Sequence, residues 1–124
     1  MKVKDIRSNR AHRQFYEMLI RNARKKIDIM GVTANRFISD FADTDSTHEN
    51  MRVLFAAMSR GVKIRILIPE ATYLESDSQR RDAANVRSKL EIIKKEYSSN
   101  FEFKYFNHLP THSIFVVDDE CILG

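Results

Sequence analysis

The sequence predicts an α/β domain in which a layered, mixed β-sheet is flanked by helices. Segments of helical periodicity alternate along the chain with short β-branched runs, each strand pattern following closely on a helix pattern. The chain then closes on two apolar runs around an acidic turn, which adds antiparallel character to an otherwise partly parallel sheet. With 124 residues, 43% of them hydrophobic and 31% charged, there is room for about one core. No internal repeat, low-complexity tract or linker divides it, so residues 1–124 are expected to form a single domain.

From about Ser8 to Lys25, Phe15, Met18, Leu19 and Ala23 fall on one helical face with basic residues over the rest. Lys26 to Val32 alternates and then turns apolar, as a strand entering a core does. The polar stretch Thr33 to Asn50 predicts a short helix over Arg36 to Phe41 and then a loop. Met51, Leu54, Phe55 and Met58 repeat at helical spacing, and Gly61 supplies the left-handed residue that ends such a helix. Val62 to Pro69 is a β-branched strand closed by proline. Ser76-Asp77-Ser78-Gln79 has capping-box spacing, and Ala83, Val86, Leu90, Ile93 and Tyr97 form the apolar seam of the helix it opens. Phe101 to Phe106 alternates as a strand, and its aromatics are expected in the sheet core. Ile114 to Val117 and Cys121 to Leu123 form a hairpin around Asp118-Asp119-Glu120. An apolar strand next to Gly124 implies an edge strand or a piece of a longer protein.

Several function classes are excluded. No apolar run approaches the roughly 20 residues of a membrane-spanning helix, and the charged N-terminus lacks a leader's apolar stretch, so a cytoplasmic location is expected. The lone Cys121 forms no internal disulfide and is expected in the core. His12, His48, His108 and His112 have no metal-ligand spacing, and Gly31, Gly61 and Gly124 are too far apart for a phosphate loop. No metal and no cofactor is expected. The formal charge of +4 favours phosphate-bearing partners. Its two concentrations, Arg7 to Lys26 and Arg80 to Lys95, lie on helices, where charge is commonly a solvated face.

The segment from Tyr105 to Gly124 resembles the motif of the phospholipase D superfamily, His-x-Lys-x4-Asp, followed by a turn, a strand and a glycine. The helix and strand from Leu54 to Leu67 are similar to that family's as well. The resemblance implies a phospholipase D-like half-domain carrying one degenerate motif. In the family histidine is the nucleophile that takes the phosphoryl group and lysine stabilises the phosphate oxygens. Aligned on His112, Ile114 stands in the lysine position and Asp119 takes the aspartate position; aligned on Asp118, Thr111 replaces the histidine and Ser113 the lysine. Both alignments lose the lysine. Loss of one preorganised donor at a developing oxyanion costs about 3 to 4 kcal/mol, which argues against efficient catalysis.

The function these departures imply is a non-catalytic module that binds or senses a phosphoryl ligand. His112 is the candidate nucleophile, with Asp119, or Asp118 in the other alignment, orienting it. His108, Thr111, Ser113 and Lys104 are the candidate ligand contacts, and the partner is a phosphate-bearing molecule such as a nucleic acid or lipid head group. Two alternatives stay open. One is a homodimeric, metal-independent phosphodiesterase or nuclease that works through a phosphohistidine. The other is a regulatory or assembly domain of a larger protein.

Overall fold

The computed structural model describes residues 2–5, 12–31, 35–70, 76–106 and 114–123. In chain order the elements are β1 (Lys2–Asp5), α1 (His12–Asn22), β2 (Lys26–Met30), α2 (Asn35–Phe41), a single 3-10 turn (Glu49–Met51), α3 (Val53–Ser59), β3 (Lys63–Pro69), α4 (Asp77–Glu96), β4 (Phe101–Phe106), β5 (Ile114–Val117) and β6 (Glu120–Leu123). The expected α/β architecture is thus present. The six strands make one mixed sheet in the order β1-β6-β5-β2-β3-β4. β2, β3 and β4 run parallel, β1 runs parallel to β6, and β5 is antiparallel to both of its neighbours.

The steps β1 to β2, β2 to β3 and β3 to β4 all advance the same way across the sheet. A uniform crossover hand therefore lays every helix on one face. β3 shows the outcome: Ile64, Ile66 and Ile68 are buried towards the helices, while Lys63, Arg65 and Leu67 on the other face are exposed. In register with them, Ile27, Phe101, Phe115 and Val117 line the covered face. Ile20, Leu54, Val86, Leu90 and Ile93 meet them from the helices. Each fully buried Leu or Ile contributes about 1.5 to 3 kcal/mol, so this single layer carries most of the stability.

Local signals account for most helix ends. The Ser76 hydroxyl accepts the Gln79 N–H at 3.1 Å and opens α4. α3 stops at Gly61, whose φ of +95° is the left-handed conformation that glycine adopts without strain. The Arg60 guanidinium donates to the Ile20 and Ala23 carbonyls and so joins the carboxyl ends of α3 and α1.

Four expectations need correction. Met18 is 54% exposed, and Ile20 takes its place on the buried stripe of α1, because the face that meets the sheet runs through Tyr16, Ile20 and Ala23. Cys121 is half-buried on the uncovered face of the sheet, since it is in register with Val116 and not with Phe115. Phe106 alternates onto that same face, unlike Phe101. β6 is not an edge strand, because β1 pairs along it. No helix among the described residues is long and apolar enough to cross a membrane.

Candidate functional site

Two surfaces stand out: a basic edge at the amino ends of the parallel strands, and the uncovered face of the sheet.

The edge is assembled by strand pairing. Lys26 opens β2, Lys63 opens β3, and the two are register partners. The Lys63 N–H bonds the Lys25 carbonyl at 3.0 Å, bringing the α1–β2 and α3–β3 connections side by side. Arg24, Lys25, Lys26, Arg60 and Lys63 are all exposed along this rim. Among the described residues Arg24 and Lys63 have no carboxylate partner, Lys25 lies in the field of the Asp118 carboxylate, and Lys26 is only loosely paired, 3.7 Å from Asp28. Helices α1, α3 and α4 all arrive here with their carboxyl ends, and cations suit the negative end of a helix dipole. That local preference helps explain why basic residues collect at each connection.

Across the strands at the same edge is the β5–β6 turn. Asp118 adopts a φ of +52°, and its carboxylate accepts backbone N–H groups from Arg24, Lys25 and Lys26 at 3.1, 2.8 and 3.2 Å. Partial burial pushes the Asp118 carboxyl up, but the three N–H donors outweigh it and hold the group below its ordinary range. This carboxylate is engaged with the main chain of the basic rim. Asp119 beside it is exposed.

The uncovered face holds a shallow groove of about 380 Å³. Met30, Leu67, Ile114 and Val116 supply its apolar floor, while Asp28, Arg65, Glu102 and Lys104 cross it in a ladder. Arg65 grips Asp28 with two bonds of 2.7 and 2.8 Å, and that guanidinium holds the Asp28 carboxyl below its usual range. Lys104 lies 3.0 Å from Glu102 and lowers its pKa in the same way.

Of the candidate residues taken from the sequence, His108, Thr111, His112 and Ser113 lie outside the described residues. Lys104 stands on β4 and faces the groove, whereas Asp118 and Asp119 occupy the turn beyond β5, with β2 and β3 between. The structure does not bring those three together. Among the described residues no cluster of His, Cys, Asp and Glu is arranged to hold a metal ion. The basic rim was not singled out from the sequence. Its signal is the run Arg24-Lys25-Lys26 at a helix–strand join, echoed by Arg60 and Lys63 at the next one.

Neither a family model nor a curated protein matches the sequence. Among solved structures the fold resembles TrmBL2, described as an archaeal chromatin protein that shows a novel mode of DNA binding, with a TM-score of 0.54 and 16% sequence identity. The match covers 91% of this chain and 35% of that one, so this chain spans about a third of its neighbour's length. At that identity the likeness establishes the fold alone.

These findings correct the phospholipase D assignment. No model of that family matches the chain, and a solved structure that its fold does resemble is that of a chromatin protein. The functions drawn from the assignment fall with it: the phosphoryl-ligand-binding or sensing module, the phosphohistidine phosphodiesterase or nuclease, and the regulatory or assembly role.

Proposed function

We propose that this chain is a DNA-associating domain that acts in the cytoplasm and meets the sugar-phosphate backbone through its basic rim. The observation that carries the proposal is the convergence of Arg24, Lys25, Lys26, Arg60 and Lys63 on one sheet edge, with Arg24 and Lys63 lacking a carboxylate partner among the described residues. The fold's likeness to TrmBL2, a DNA-binding chromatin protein, supports the same partner.

Lysines on flexible stems along a strand-end edge suit phosphate oxygens better than base edges. Such contacts position a protein on a duplex without selecting a sequence. Binding therefore depends on counterion release, with each neutralised phosphate contributing about −0.9 to the slope of log K against log salt. If four of the rim cations reach phosphates, the slope is roughly −3.6.

The test is fluorescence anisotropy of the protein against labelled duplexes of about 30 base pairs and unrelated sequence, titrated at several salt concentrations. Comparable affinity for every sequence and a slope near that value support the proposal. No binding at low salt, or binding that ignores salt, refutes it.

A further inference from the structure

We propose that β4 is an open strand edge that takes an extended peptide segment of another protein, one in which an acidic residue stands between two apolar ones.

β4 is a terminal strand of the sheet, so one of its flanks has no neighbouring strand. Two bonds fix which of its residues turn outward. The Ile64 N–H bonds the Asn100 carbonyl at 2.8 Å, and the Glu70 N–H bonds the Phe106 carbonyl at 3.2 Å. Alternate residues of a paired strand direct both main-chain groups to the same neighbour. Glu102, Lys104 and Phe106 therefore bond β3, while Phe101, Phe103 and Tyr105 turn theirs outward. Phe101 is already satisfied: its N–H bonds the Tyr97 carbonyl at 3.0 Å, and the Lys94 ammonium donates to its carbonyl at 2.8 Å. The main-chain groups of Phe103 and Tyr105 have no such partner among the described residues. Donors and acceptors repeating two residues apart along one line match the backbone of an extended chain.

The side chains define what that chain carries. Phe101 is 2% exposed in the core, whereas Phe103 and Tyr105, which meet edge to face at 6.1 Å, are only half-buried. Apolar residues opposite these two rings cover their open flank. In antiparallel pairing the residue between them stands opposite Lys104, in the close, non-hydrogen-bonded position where opposite charges attract. The Lys104 ammonium holds Glu102 at 3.0 Å and, with three donors, keeps capacity for a second carboxylate. Arg87 over the Tyr105 ring and Lys94 join Lys104 against Glu91 and Glu102, which leaves positive charge in excess along the edge.

A second copy of β4 fits poorly. Paired antiparallel through Phe103 and Tyr105, it sets Lys104 against Lys104. Slid by two residues to bring Glu102 opposite Lys104, it needs the main-chain groups of Phe101, which Tyr97 and Lys94 already hold. Two open residues make a short ladder, so an isolated peptide binds with a Kd of about 1 mM. The inference does not rest on the DNA proposal, and its test contains no DNA.

The probe is a capped pentapeptide, Thr-Val-Glu-Val-Thr, titrated to about 10 mM while the amide resonances of the isotope-labelled chain are followed by NMR. In the free chain the Phe103 and Tyr105 amide protons are expected to exchange with water about tenfold or more faster than those of Lys104 and Phe106. The peptide should shift the Phe103 and Tyr105 resonances and slow their exchange. The lysine version, Thr-Val-Lys-Val-Thr, should bind about tenfold more weakly, and Lys104→Glu should reverse that order. The glutamate peptide N-methylated at both valines lacks the pairing donors and should leave the spectrum unchanged. Lys104 is 70% exposed, so its substitution leaves folding intact, which circular dichroism verifies. No shift at Phe103 and Tyr105, equal binding of the two peptides, or binding that survives N-methylation overturns the proposal. Concentration-dependent pairing of the chain through these residues without peptide overturns the choice of occupant.

Discussion

Asp118 accepts the Lys25 backbone N–H at 2.8 Å across 93 residues of sequence, and this bond fastens the last hairpin to the connection between α1 and β2. The same carboxylate takes two further N–H groups, so it holds the basic rim in shape. Asp118→Ala removes all three acceptor contacts and leaves alanine at a positive φ. After discounting for solvent exposure, the expected loss is about 1.5 kcal/mol in urea unfolding. Asp118→Asn, which tolerates that φ and keeps an acceptor, should lose less.

The same carboxylate sets an acid dependence. Its folded-state pKa lies below the unfolded value, so its contribution is full above the unfolded pKa and lost as pH falls through the folded one. Wild-type stability measured from about pH 7 to about pH 3 should therefore decline on the acid side, with Asp28 adding to the decline through Arg65. Asp118→Asn should flatten that limb without removing it. An acid limb unchanged in the variant would contradict the assigned role.

Gly61→Ala tests the end of α3. Nothing lies within 4 Å of the added Cβ, so steric overlap contributes nothing and the φ of +95° alone sets the loss, about 1 to 2 kcal/mol. Gly61→Asn should be milder, since asparagine visits that region more readily.

Phe115→Ala tests how the helices dock. Its ring meets Tyr16 of α1 at 5.0 Å and Phe37 of α2 at 5.9 Å between centroids, joining both helices to β5. A loss of about 3 to 4 kcal/mol in the unfolding free energy is expected. Ser76→Ala, which removes only the cap of α4, should lose about 1 kcal/mol in the same measurement.

The helices and the longer strands are legible in the sequence because their periods are local. Val86, Leu90 and Ile93 recur on one face, and Ile64, Ile66 and Ile68 alternate. β1 is not legible, since Val3 is the single apolar residue in Lys2–Asp5 and the strand exists through its pairing with β6. Met18 misleads because a helical stripe can be drawn through it or through Ile20, and the position of the sheet decides. The strand order is equally hidden: β5 inserts between β6 and β2, a choice that only long-range pairing makes. The basic rim escapes for the same reason. Lys25 and Lys63 become neighbours only when β2 and β3 pair, and in the sequence Lys25 belongs to a basic helical stretch. On the helices themselves Arg13 and Arg21 bond Glu17, and Arg87 bonds Glu91, as a solvated face would.

Two double variants matched in net charge separate the position of charge from its amount. Lys25→Glu/Lys63→Glu on the rim and Arg81→Glu/Lys89→Glu on the exposed side of α4 each bring the formal net charge from +4 to zero. Affinity for a duplex is measured for both by anisotropy at one low salt concentration. A loss of about a hundredfold or more is expected for the rim variant, with a shallower salt slope, and only a small loss for the helix variant. Equal losses in the two variants would mean that net charge alone governs binding and would contradict the assignment of the rim as the DNA-contacting edge.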